Sequence, residues 1–289
     1  MIYNSENGMS FVKLKGIKFI VISLILVFSI QYKLAAQNNI ELFPSNLLVQ
    51  PFTANTLKPK LGFEFKNGQN DLSLNIGTSM DIAHYDISKG YKLSLGADLY
   101  TYTLLRSQSD FHFPVDAVDY LFGFNFGLSK ENWGARLRVS HISAHFVDGH
   151  YSKEDEMWID GREPRVYSRE FFEFIHFYRF NNFRAYAGIT YIFSIDPPEI
   201  GKDQYQIGFE YFAKELFSHY LTPYLAYDFK LINIYDYTGN NSIEAGVKYG
   251  YSNGRGISVY FRYFSGYSIH GEYFDVKEDF ASFGFNLDL

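Results

Sequence analysis

From residue 58 to the C-terminus, apolar and polar positions alternate with a period of two. Leu61, Phe63 and Phe65 alternate with Gly62, Glu64 and Lys66, and Tyr91, Leu93, Leu95, Ala97 and Leu99 with Lys92, Ser94, Gly96 and Asp98. Val118, Tyr120, Phe122, Phe124 and Phe126 face Asp119, Gly123, Asn125 and Gly127 in the same way. Side chains two apart share one face of a strand, so each stretch reads as a β-strand with one apolar and one polar face. The pattern recurs about twelve times, mostly over roughly ten residues, enough to cross a bilayer at a tilt. The expected class is all-β: a transmembrane antiparallel β-barrel of about 12 strands, spanning residues 58–289.

The N-terminus supports that location. Lys13, Lys15 and Lys18 precede an apolar run from Phe19 to Ile30, followed by Ala35 and Ala36. This is the layout of a secretory signal peptide over residues 1–36, the run being shorter than the roughly 20 residues of a spanning helix. Residues 37–57 read as an irregular periplasmic lead-in. The chain has no Cys, which excludes disulfides, thiolate chemistry and a lipoprotein anchor. A net charge of -6 argues against nucleic acid as a partner. Membrane lipid and the outer-membrane assembly machinery of a Gram-negative cell are the expected partners; oligomeric state is not legible. Tyr (25) and Phe (30) supply most of the 20% aromatic content, which suits interfacial girdles on a lipid-facing surface.

Apart from the first, connections alternate in length. QN, SQSDFHFP, DGHYSKEDEMWIDGREP, DPPEIGK, YDYTGN and SIHGEYFDVKE lie on one side, and ISKG, SKEN, NN, LFSH and SNGR on the other. Long extracellular loops and short periplasmic turns are the rule for outer-membrane barrels. The charges Asp81, Asp98, Asp119, Arg136, Arg138, Arg184, Glu210, Asp228, Lys230, Glu244, Lys248 and Arg262 then line a narrow interior, where they are expected to pair.

One strand carries candidate chemistry. Trp133, Ala135, Leu137 and Val139 form an apolar row that His141, Ser143 and His145 continue. Ser becomes a nucleophile beside a base, and His is the usual one. The next strand offers Glu170 as the third member. Pairing Val147 near Val166 places Ser143 opposite Glu170, with Glu170 diagonal to His141. The candidate catalytic set is Ser143, His141 and Glu170. No cofactor is implied; Ca²⁺ is the cation that the acidic Asp148–Glu163 loop could hold, although its spacing matches no EF-hand. His270 and Glu272 are expected at the surface.

VDAVDYLFGF (115–124), RLRVSHISAHFVDGHY (136–151), YSRE (167–170), RAYAGITYIF (184–193) and YFSGYSIHGEYF (263–274) resemble the domain-of-unknown-function 1207 family of bacterial outer-membrane proteins. That family's His-x-Ser-Ser-His core has Ala144 in place of its second Ser here, and its Gly-Asp order is disturbed at Val147-Asp148-Gly149. The resemblance implies fold and location, and no activity. His141-x-Ser143 is also similar to the His-x-Ser pair of the outer-membrane phospholipase A family, whose site faces lipid near the outer leaflet. Ala144-His145 stands where that family has Asn-Gly. The lipid A deacylase barrels are similar, with Glu as third member. The resulting expectation is a lipid acyl hydrolase of phospholipase or lipid A deacylase type; the alternative is a non-enzymatic barrel, either a small-solute channel or a structural protein.

Overall fold

The computed structural model describes residues 39–67 and 71–288, so the expected signal peptide lies outside the described residues. Ile40–Leu42 is a short strand, and a compact unit runs from Phe43 onward. In it, twelve antiparallel strands close into a barrel. They are β1 (Gly62–Lys66), β2 (Asp71–Ser88), β3 (Tyr91–Arg106), β4 (Val115–Lys130), β5 (Trp133–Phe146) and β6 (Tyr167–Phe180), then β7 (Phe183–Asp196), β8 (Ile200–Phe212), β9 (Leu221–Ile234), β10 (Asp236–Gly250), β11 (Gly256–Tyr267) and β12 (Lys277–Asp288). Each pairs with its sequence neighbour, and β1 closes the ring against β12 with Phe63 opposite Phe285.

The period-two pattern decides which face is which. Phe122, Phe124, Phe126, Phe172 and Phe174 are exposed outward, while Asn125, Arg136, Arg138 and Glu173 are buried inside. The outward face has exposed tyrosines towards both ends: Tyr120, Tyr191, Tyr205, Tyr237 and Tyr263 towards the long-loop end, and Tyr178, Tyr211 and Tyr249 towards the other. Two girdles flanking an apolar band mark a bilayer-spanning barrel, with the short-turn end in the periplasm. At that end Lys89 (φ 53) and Gly90 (φ 78) form a two-residue hairpin in which both residues have positive φ, the turn whose twist matches the strands. One expected long loop is absent. YDYTGN is almost all strand, with only Tyr235 between β9 and β10.

Most of the inward charges pair as expected, while Asp98, Asp228 and Lys230 take neutral hydrogen-bond partners. Arg138, wholly buried, is 2.9 Å from Glu173 Oε2, and Arg136 is 2.8 Å from Glu173 Oε1. Arg262 joins Glu64 at 2.9 Å and Glu244 at 2.6 Å. Tyr186 donates to Asp228 at 2.6 Å, and Asp98 accepts from Asn125 at 3.0 Å. Water-poor interiors tolerate charge only when it is paired and hydrogen-bonded, and these groups answer one another.

The lead-in from Leu48 onward is irregular and runs inside the barrel, where the expectation was a periplasmic segment. Arg184 donates to the carbonyls of Gln50 and Pro51, Glu210 accepts from the Thr53 amide at 2.8 Å, and Lys230 donates to Asn55 Oδ1 at 2.8 Å. The Leu57 carbonyl accepts from Tyr100 Oη at 2.6 Å and from Arg138 at 3.2 Å. An irregular backbone in a protein interior must find side-chain partners for its amides and carbonyls, and the lumen charges supply them. Phe52 and Leu57 also anchor the segment in two apolar clusters. Phe52 packs with Ile175, Phe177 and Tyr186, and Leu57 with Tyr100, Leu121, Ile142 and Phe171. Gly77 makes room for Tyr100, since a Cβ there would lie 2.0 Å from the tyrosine Cβ.

Two loops fold over the outer mouth. His270 and Glu272, expected at the surface, are buried: Asp119 Oδ2 lies 2.7 Å from His270 Nδ1, and Asp119 Oδ1 accepts from the Gly271 amide at 2.7 Å. Asp275 ties this loop to the 147–166 loop, through Arg162 at 2.9 Å and Arg165 at 3.2 Å. Burial would push the Asp275 carboxyl up, but the two guanidiniums outweigh it and hold it below the usual carboxylate range.

Two outcomes follow from this packing. Glu173→Ala leaves Arg136 and Arg138 unanswered in the lumen and should cost about 3–5 kcal/mol, read as a lower unfolding midpoint in detergent. A carboxylate with a depressed pKa contributes stability above its unfolded pKa and loses it as pH falls through the folded value. Protease nicking of the 147–166 loop should therefore rise as pH drops below roughly 4, and Asp275→Asn should show that susceptibility already at neutral pH.

Candidate functional site

β5 sets the site because its parity does not change along its length. Arg136, Arg138, Ser140, Ile142 and Ala144 are buried inward; Leu137, Val139, His141, Ser143 and His145 point outward. Position 144 packs against the folded-in loop, where a Cβ on Gly271 would lie 2.6 Å from Ala144 Cβ. The residue that departs from the resembled motif therefore faces away from the His–Ser row.

The β5–β6 register differs from the expectation by two residues. His141 lies directly opposite Glu170, and Ser143 lies opposite Ser168. The correction shortens the reach. His141 Nδ1 and Glu170 Oε1 are 2.7 Å apart, within direct hydrogen-bonding distance, instead of on a diagonal. The Val147–Val166 pairing fails because β5 ends at Phe146 and the long loop takes over.

Ser168 Oγ also donates to Glu170 Oε1 at 3.3 Å. Ser194 of β7 is the register partner of Glu170 on its other side. Ser194 reaches this face through an irregularity between Ile192 and Ser194, where Phe193 is the extra residue. A bulge adds one residue to a strand and re-aims the side chains beyond it. Without it Ser194 would point into the lumen. No spacing signal in the sequence marks this residue.

With Nδ1–H donated to Glu170, imidazole Nε2 is left as an acceptor, the tautomer a general base requires. Ser143, two residues along the same face, makes no hydrogen bond to His141 in this conformation. Phe122 lies opposite His141 with ring centroids 4.8 Å apart, and Tyr120 lies opposite Ser143. His141 and Glu170 are about three-quarters covered, with side-chain exposures of 27% and 29%, and Ser143 is half-buried. His145 is exposed one step further out, its ring centroid 6.1 Å from that of Tyr120. The trio thus sits at the height of the outer tyrosine girdle, flanked on the bilayer side by Phe122, Phe172 and Phe193.

The acidic loop does not assemble a cation site. Among the described residues no group of three or more His, Asp or Glu side chains converges to hold a metal. Within the loop Asp155 is engaged by Ser152 at 2.7 Å.

Among solved structures, the chain is similar to outer membrane phospholipase A from Escherichia coli, at 14% identity over 84% of this chain and 95% of that one, with a TM-score of 0.47. It is similar to the β domain of the Bordetella autotransporter BrkA, at 11% identity over 79% and 97%, TM-score 0.41. The Pseudomonas putida toluene transporter TodX matches at 10% identity over 76% and 69%, TM-score 0.39. No curated protein sequence matches the chain. Residues 67–288 match the family described as protein of unknown function, DUF1207. The protein is an outer-membrane β-barrel, and it belongs to the DUF1207 family.

Proposed function

We propose that this barrel is a lipid acyl hydrolase acting from its outward face at the outer leaflet. The observation that carries the reading is the 2.7 Å contact between His141 Nδ1 and Glu170, which leaves Nε2 as an acceptor on the face that bears Ser143. Ser143 is the nucleophile, His141 the base, and Glu170 the group that orients the imidazole. The reading requires the Ser143 side chain to rotate so that Oγ reaches Nε2. Oγ then attacks an ester carbonyl while its proton passes to Nε2, and the imidazolium returns that proton to the leaving alcohol. Water hydrolyses the acyl-enzyme by the same relay. The girdle height suits this substrate, because lipid ester carbonyls lie between headgroup and acyl chains. Phe122, Phe172 and Phe193 offer an apolar bed for the chain.

A second reading, a structural outer-membrane barrel, draws on the missing Ser143–His141 hydrogen bond. A small-solute channel fits poorly, since the lead-in and the charge pairs fill the lumen; steady ion conductance from the intact chain in planar bilayers would reverse that judgement.

In mixed micelles the purified protein should release fatty acid from phospholipid or lipid A. Ser143→Ala and His141→Ala should each lower the rate by about 10³-fold or more, and Glu170→Gln by roughly 10²–10⁴-fold. A sulfonyl fluoride should add its mass at Ser143 in the parent protein, and much more slowly in His141→Ala. Fatty-acid release that survives Ser143→Ala would sink the hydrolase reading in favour of the structural one.

A further inference from the structure

We infer that the periplasmic mouth of the barrel is a binding site for a small oxyanion, independent of the outward-facing trio. Arg179 of β6 and Arg184 of β7 are register partners, and both project inward. Like charges directly opposite one another repel. Arg184 is answered by Glu210 and by two lead-in carbonyls. Asp288, with Glu210 the other carboxylate lining the cavity at this mouth, is taken by Lys248 at 2.7 Å. Among the described residues no carboxylate lies within 4.0 Å of Arg179 or of Lys214. The contact Arg179 does make is with the Phe177 ring, 4.5 Å from its Cζ to the centroid, which leaves its N–H donors uncommitted.

These two cations, with Arg184 and Asn182, border a cavity of about 110 Å³ floored by the lead-in at Gln50 and Pro51. A single water needs roughly 10–15 Å³ of such space, so the cavity holds several waters or one small oxyanion, and nothing macromolecular. A guanidinium binds an oxyanion through paired N–H donors, and a lysine adds a point charge beside it. A phosphate or carboxylate bridging Arg179 and Lys214 would neutralise the surplus and relieve the Arg179–Arg184 opposition. The shared ligand chemistry is an oxyanion. Its source is either a periplasmic solute or the phosphate of an inner-leaflet lipid headgroup.

The test uses the full chain in non-ionic detergent, following the thermal midpoint as inorganic phosphate is titrated against chloride at equal ionic strength. Phosphate should raise the midpoint saturably. Arg179→Gln should weaken that response about tenfold or more, as expected for losing one charge-assisted contact. In chloride alone the same variant should melt no lower than the parent, because it removes one of two opposed charges. Lys214→Gln should weaken the phosphate response in the same direction. A parallel titration with short-chain phosphatidylglycerol separates the sources: saturation by free phosphate identifies a solute site, and a response confined to the lipid identifies a headgroup site. Either outcome supports the inference. Equal midpoints in phosphate and chloride, with no lipid response, would overturn it, as would an undiminished response in Arg179→Gln. A lower midpoint for Arg179→Gln in chloride would also overturn it, marking Arg179 as a structural residue.

Discussion

The structure turns on the buried guanidinium of Arg138. It bonds Glu173, Tyr100 and the Leu57 carbonyl, so it joins two non-adjacent parts of the barrel wall to the segment threaded through the lumen. It also determines the parity of β5. Side chains in a strand alternate with a period of two, and a slip of one residue exchanges the faces. Arg138 cannot face hydrocarbon at mid-membrane without a cost of about 2–4 kcal/mol, so it points inward, and Arg136 two residues away shares its face. Every odd-numbered neighbour from Leu137 to His145 must then point outward. The outward placement of His141 and Ser143 is thus a consequence of where the lumen keeps its charge.

Parity alone brings no groups together. The partner of His141 depends on how β6 runs beside β5, and the register puts Glu170 directly across from it. The adjoining strand adds Ser194 through a bulge that turns an inward position outward. The carboxylate thereby lies between His141 and Ser194 and accepts from His141 and Ser168. These contacts keep the imidazole in one tautomer on a surface otherwise bordered by Phe122, Phe172 and Phe193.

The interior follows a different logic from the outward face. The lumen is filled by its own chain, with the lead-in from below and the 268–276 loop from above. The inward rows are therefore polar where they meet backbone and charge, and apolar where Leu121, Ile142 and Phe171 meet Leu57. The same economy leaves the periplasmic rim unbalanced. There the lead-in takes up the donors of Arg184 and gives Arg179 nothing in return.

Alternation and composition carry one set of properties: about twelve membrane-crossing strands, their inward and outward rows, and the His141–Ser143–His145 row on the lipid side. Those follow from local chemistry, because each residue's face is dictated by its immediate neighbours and the two solvents on either side of the wall. Tertiary structure alone decided the remainder. The register of Glu170, the bulge at Phe193, the burial of His270 and Glu272 and the entry of residues 48–60 into the lumen all depend on contacts between segments far apart in the chain. The irregular stretch from Leu48 onward has no periodicity to read, and its place is set by lumen side chains from distant strands that satisfy its backbone.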